Sequence, residues 1–218
     1  MRIRRLLPRW SAPASVCSAA ALLLAVSQLL QGPSGSAASS DGAADHPGQP
    51  YVITPRRQAL LNTIRYAEGT WKHGSREGYH ILYGGGRFQS LARHPEIVVV
   101  KRYTSAAAGA YQFLPGTWKE AASRLRLSSF RPEQQDQAAL FLVDRRGVLD
   151  AIDREGLTPR VMAVLAREWA SFPALNGRSA YGQPVKSATE LQRFYQASLN
   201  ADPATATGPW PAPGSPAS

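Results

Sequence analysis

TPRRQALLNTIRYAEGT, residues 54–70, carries a start signal, an apolar face and a stop. Thr54 is a helix-capping residue type, and Pro55 suits the first helical position, where a missing N–H is harmless and φ is preset. Leu60, Leu61, Ile64 and Ala67 then recur at helical spacing until Gly69 ends the run, which predicts a helix over 55–68. Glu68 stands four residues after Ile64 and seven after Leu61, on the same stripe, so it faces the core or a cleft beside it. It also occupies the last turn, where the helix dipole disfavours an anion. Desolvation acts in the same direction and raises a carboxyl pKa. A free Glu with a pKa of about 4.3 is protonated in roughly one molecule in 500 at neutral pH, whereas a rise of about two units makes that roughly one in six. Such a group can act as a general acid. It also fits a structural carboxyl bonded to neighbouring backbone, and the helix by itself leaves both readings open.

Beyond this helix the texture changes. From Tyr79 to Tyr103 the runs YHILY, RFQSL and EIVVVKRY, separated by Gly84-Gly85-Gly86, predict two or three short strands. After Pro115 helical patterns return, near 116–126, 132–146, 148–154, 159–170 and 187–199. Thr158-Pro159 repeats the cap-plus-proline start, and Ser187 with Glu190 has the spacing of a capping box. A small sheet followed by a run of helices is an α+β arrangement, mostly helical. Between them lies a second cluster, Thr104 to Phe113, TSAAAGAYQF. Its small residues let backbone approach a ligand closely, while Tyr111 and Gln112 supply a flat face and a paired donor and acceptor suited to sugars. The alternative is a loop with Tyr111 and Phe113 packed into the core.

The two ends of the chain are of different composition. Arg2, Arg4, Arg5 and Arg9 precede an apolar run from Val16 to Leu30, followed by Ser36, Ala37 and Ala38, the pattern of a secretory signal cleaved near Ala38. An uncleaved N-terminal anchor is the alternative, although the run is short for a membrane span of about 20 residues. Residues 39–53 read as a linker and 200–218 as a disordered Pro/Ala-rich tail carrying Trp210, leaving a folded domain over 54–199. A domain of that size buries roughly 68% of its unfolded surface and needs no staple. Cys17, the one cysteine, lies in the leader, so a mature chain would have no disulfide or thiol chemistry. The spacing of His73, His80 and His94 with the acids implies no metal, and no motif implies a cofactor. The formal charge of +10 includes four arginines of the leader, so the remainder holds 21 basic and 15 acidic residues. That excess fits an anionic cell-wall matrix and equally nucleic acid, so charge alone does not choose. No basic run of five or more interleaved with aromatics points to nucleic acid.

Taken together, several collinear motifs resemble the lambda-type endolysin family. They are Ala67-Glu68-Gly69-Thr70, Gly78-Tyr79, Gly84-Gly85, His94-Pro95 and Ala108-Gly109-Ala110-Tyr111-Gln112. The series continues with Phe130-Arg131-Pro132, Gln135-Asp136, Arg146-Gly147, Trp169-Ala170-Ser171-Phe172-Pro173 and Tyr181-Gly182-Gln183, so it runs from about Arg57 to Leu199. The resemblance implies a lysozyme-like fold of two lobes flanking a saccharide cleft, and lytic transglycosylase activity on peptidoglycan. It maps the family's catalytic acid to Glu68 and its substrate-cleft pair to Tyr111 and Gln112. It also implies a cleft-edge loop at Tyr181, Gly182 and Gln183, with His80 as a further substrate-side residue. His80 stands where the family has an aspartate, and the loop from Ala174 to Ala180 is longer than the family's. The partners implied are peptidoglycan glycan strands, with no stable membrane insertion once the leader is removed, and an exported monomer is expected.

Hydrolytic glycosidases use two carboxylates, about 5–5.5 Å apart for retention and about 6.5–9.5 Å for inversion. No obvious partner accompanies Glu68; Glu77 and Glu96 lie in the strand region and read as surface charge. One carboxyl suffices if the nucleophile belongs to the substrate. Three readings follow: a lytic transglycosylase, a hydrolytic muramidase using the same Glu68, and a wall-binding protein without catalysis. A pure binder has no need of the acid.

Overall fold

In the computed structural model the described residues are 49–179, 182 and 185–201. The leader, most of the linker and the tail with Trp210 lie outside them, as do Tyr181 and Gln183. Among the described residues the chain forms six α-helices, three short 3₁₀ turns and one two-stranded antiparallel sheet, the α+β arrangement expected. The helices are α1 Pro55–Ala67, α2 Pro115–Leu125, α3 Pro132–Arg145, α4 Leu149–Glu155, α5 Pro159–Leu165 and α6 Ala188–Asn200. Four of the six begin on proline, where the missing donor and the preset φ cost the helix nothing. The caps read from sequence form as expected. Thr54 accepts from Arg57 N and Thr158 from Val161 N, both at 3.3 Å. Only half of the Ser187 box closes: Ser187 Oγ accepts from Glu190 N, but the Glu190 carboxylate turns away to Tyr66 OH and Lys186 Nζ.

α1 is the central element, packing against α3, α4 and α6. Leu60, Leu61 and Ile64 have no exposed surface, and on the α6 side the ring of Tyr66 stacks on Phe194 with centroids 4.1 Å apart. The core continues through Phe113, Trp118, Phe130, Met162, Trp169 and Phe172.

Three boundaries differ from the sequence reading. The strands expected between Tyr79 and Tyr103 shrink to β1 Val99–Val100 paired with β2 Thr104–Ser105, plus isolated bridges such as Ile81 to Arg87 and Leu82 to Ala108. Gly84 and Gly85 adopt φ of 76° and 92°, which folds the glycine stretch back on itself before a ladder can extend. α5 stops at Leu165 rather than near 170, and the chain turns through Trp169 to Pro173. Finally, the fold begins before Thr54. Tyr51 exchanges two hydrogen bonds of 2.9 Å with the buried Gln137 side chain of α3, and its hydroxyl donates to Asp144. Tyr51, within the stretch read as a linker, is thus tied to α3.

Candidate active site

Ala67 ends α1 and Glu68 is its C-cap, with the backbone N–H still bonded to Ile64 O at 2.9 Å. Gly69 follows at φ 74°, the left-handed turn that lets the chain leave the helix at once. Thr70 then donates its hydroxyl to Ala110 O, so the end of α1 is tied directly to the Ala-Gly-Ala-Tyr-Gln loop. This is the physical content of the Glu-Gly-Thr run: a carboxyl fixed by the cap, a residue that permits the turn, and a clasp to the second cluster.

That second cluster is a tight reversal. Ala108 and Phe113 exchange hydrogen bonds of 3.0 and 2.9 Å, with Gly109 at φ 82° and Gln112 at φ 48° between them. Positive φ on a non-glycine residue is costly, and the Gln112 amide offsets it by donating to Gly109 O and to Ile81 O. The amide oxygen of the half-buried Gln112 is thus its group able to meet a ligand. A Cβ on Gly109 would lie 2.2 Å from Gln135 Oε1. Gln135 is fully buried in α3, and its side chain accepts from Ala110 N and donates to Phe130 O, pinning the loop from behind.

Tyr111 does not present the flat face expected of it. Its side chain is 1% exposed, packed against Phe113, with its hydroxyl donating to Asp136 Oδ1 at 2.5 Å. Tyr79 donates to the same oxygen at 2.8 Å. Burial pushes the Asp136 carboxyl up to about 6, against the two tyrosine hydroxyls and the Arg65 charge that favour its anion. Asp136 accounts for this orientation: a half-buried carboxylate needs donors, and Tyr111 turns inward to supply one. Arg65 is buried as well, its guanidinium 4.7 Å from the Tyr79 ring centre and 5.0 Å from that of Trp71. A cavity of about 250 Å³ opens beside this group, lined by Asn62, Arg65, Trp71, Tyr79, Glu133 and Asp136; Glu68 is not in its wall.

The third element of the site arrives from 103 residues away along the chain. Trp169, 3% exposed, donates its indole N–H to Tyr111 O at 3.0 Å. Two residues on, Ser171 Oγ donates to Glu68 Oε1 at 2.6 Å. Burial raises the Glu68 carboxyl to about 7, opposed by that one hydroxyl. Glu68, the Tyr111–Gln112 loop and the Trp-Ala-Ser-Phe-Pro turn, far apart in sequence, therefore meet. Ser171, Gln135 and Asp136 went without individual roles at the sequence level; their only signal was membership of collinear motifs.

His80 sits in the smaller region, half-buried, its ring tilted over Phe88 and its Nδ1 within 3.0 Å of Phe88 O. A carbonyl partner requires a proton on Nδ1, and Nε2 points away from that bond as the ring's other polar atom. Glu77 pairs with Arg87 at 3.1 Å on the surface, and Glu96 is exposed. Neither acts on Glu68, and among the described residues no charged group does.

Comparison with known proteins agrees with this arrangement. An endolysin family profile matches residues 58–201. The endolysin of Escherichia phage lambda is 33% identical over 145 residues, spanning 64% of this chain and 88% of the phage protein. The endolysin of Escherichia phage P2 is 31% identical over 147 residues, spanning 61% of this chain and 86% of that protein. Among solved structures, bacteriophage lambda lysozyme complexed with a chitohexasaccharide superposes with a TM-score of 0.62 at 31% identity, covering 68% of this chain and 96% of that one. A second structure of lysozyme from bacteriophage lambda gives 0.59 at 27% identity over the same shares, 68% and 96%. The fold is therefore lysozyme-like, and since the match spans the folded unit with the Glu68 site inside it, the chain belongs to the endolysin family and is a lysozyme-type glycosidase.

Proposed function

We propose that this enzyme is a lytic transglycosylase that cuts the bond between N-acetylmuramic acid and N-acetylglucosamine in peptidoglycan and closes a 1,6-anhydro ring on the muramic acid. The observation that carries the reading is the isolation of Glu68: burial and one serine hydroxyl set its proton affinity, and among the described residues no second carboxylate acts on it. Direct hydrolysis by the usual route needs such a partner to activate water or attack carbon. A single carboxyl poised at about 7 is present in both forms near neutral pH, as a group must be that gives a proton and then takes one. In the first step Glu68 donates its proton to the glycosidic oxygen as the bond from the muramic anomeric carbon breaks, releasing the 4-hydroxyl of N-acetylglucosamine. In the second the muramic 6-hydroxyl oxygen bonds to that carbon and passes its proton to the Glu68 carboxylate, restoring the acid. A hydroxyl held beside the reacting carbon has an effective molarity that can reach about 10⁵ M, against ~55 M for water.

Glycan strands are the proposed partner. A related lysozyme has been solved with a chitohexasaccharide, and the Gln112 amide oxygen and His80 Nε2 are polar groups of this chain suited to sugar hydroxyls. Tyr181 and Gln183 remain proposed for the cleft edge. The arginine-rich start and apolar run of residues 1–38 support action outside the cytoplasm, and among the described residues no helix is long and apolar enough to cross a membrane. Mass analysis of a peptidoglycan digest tests the reaction: the products should end in 1,6-anhydro-muramic acid, lighter by one water than hydrolysed ends. Predominantly reducing ends would establish the muramidase alternative instead.

A further inference from the structure

We infer that Ser171 is a positioning residue for the acid, confining the transferable proton of Glu68 to Oε2 and holding that oxygen in one orientation through both halves of the reaction. The inference rests on the proposed role of Glu68. Ser171 Oγ lies 2.6 Å from Oε1. In the acid form an oxygen that accepts a hydrogen bond is the carbonyl oxygen of the carboxyl, so the proton resides on the other one. In the anion both oxygens accept, and the same bond persists. The contact therefore survives donation and recapture, and the carboxyl returns to one geometry instead of rotating between two.

The serine can do this because its own place is fixed on both sides. Trp169 is 3% exposed and anchored to Tyr111 O, while Phe172 has no exposed surface and its N–H bonds to Trp169 O at 3.0 Å. Ser179 Oγ reaches Ala170 O at 3.4 Å and closes the turn. Tyr111 is in turn held by Asp136. The acid on α1 is thus indexed to α3 through three side chains, with Ser171 as the last. Among the described residues no titratable group acts on the Glu68 carboxyl, so the hydroxyl is the one polar influence set against burial. A hydroxyl donor favours the anion. Removing it drives the carboxyl further towards its protonated form and lets it turn.

The test is a carbon NMR titration of the Glu68 carboxyl, its signal identified by its loss in Glu68→Gln, together with the pH dependence of kcat/KM on peptidoglycan. In Ser171→Ala the midpoint should rise by about half a pH unit or more, and the alkaline limb of the profile should move with it. The kcat should fall about tenfold with KM changed less than about twofold, because the loss is in orientation during reaction and not in substrate binding. Ser171→Thr, which keeps the hydroxyl, should restore all three. An unchanged midpoint in folded Ser171→Ala overturns the inference whatever the products are. A raised midpoint with an unmoved alkaline limb overturns the assignment of Glu68 as acid, and the inference with it. If Ser171→Ala does not fold, the isosteric pair Ser171→Thr and Ser171→Val makes the same comparison, and equal midpoints in that pair overturn it.

Discussion

In the proposed reaction Glu68 carries the proton, and the burial that makes it costly to the fold is what suits it to that role. Its pKa is raised by burial from an ordinary carboxyl value to about 7, so the folded protein holds a proton that the unfolded chain releases. The protonated carboxyl contributes stability that is fully present below the unfolded pKa of about 4.5 and is lost as pH rises through about 7, at most about 3 kcal/mol. Glu68→Gln keeps the shape and removes the titration. It should lower activity by at least about 10²-fold, and thermal unfolding followed from about pH 4 to 8 should show a shallower loss of stability than in wild type. Retention of more than a few per cent of activity would mean that the proton comes from elsewhere. Tyr111 makes the opposite point. Tyr111→Phe removes one donor to Asp136 but leaves Tyr79, so it should cost about 1–2 kcal/mol of stability with kcat/KM within about threefold of wild type. A loss of activity far beyond the loss of stability would return Tyr111 to the substrate side.

At the scale of elements the determining event is the convergence of three chain reversals on the end of α1. The loop from Ala108 to Phe113 depends on Gly109, whose position admits no side chain: a Cβ would meet Gln135 Oε1 at 2.2 Å and Phe130 Cζ at 2.8 Å, at a φ of 82°. Gly109→Ala should destabilise by more than about 2 kcal/mol and weaken activity by displacing Gln112, as denaturant unfolding and steady-state kinetics would show. How far such features were legible in sequence follows from their range. The α1 cap, stripe and stop are local, and Glu68 could be placed from them within one turn. The bond from Ser171 to Glu68 spans 103 residues and leaves no periodic trace. The orientation of Tyr111 hung on a half-buried carboxylate 25 residues downstream, and an aromatic among small residues looks alike whether it faces a sugar or a core. The strands were overread because apolar runs such as YHILY signal burial without saying which local geometry delivers it; Tyr79, Ile81 and Leu82 are buried, but through turns.

Across the whole molecule, the folded unit is set by what α3 and α1 can hold. Tyr51 belongs to it through Gln137 and Asp144, so a chain beginning at Tyr51 and ending at Ala201 should fold and retain activity. A chain beginning at Thr54 leaves the Gln137 amide buried without its partners, and should lose about 2 kcal/mol, or about 5 °C in Tm by calorimetry. Equal Tm values for the two would show that Tyr51 is only resting on α3. The family match covers this same unit, which locates the shared activity in it. The central claim is that the substrate's own hydroxyl, with Glu68 as the sole proton carrier, completes the reaction. It is tested most directly by digesting peptidoglycan in water labelled with heavy oxygen and weighing the new muramic acid ends. The account predicts anhydro ends that carry no label; ends that incorporate one labelled oxygen per cut would contradict it.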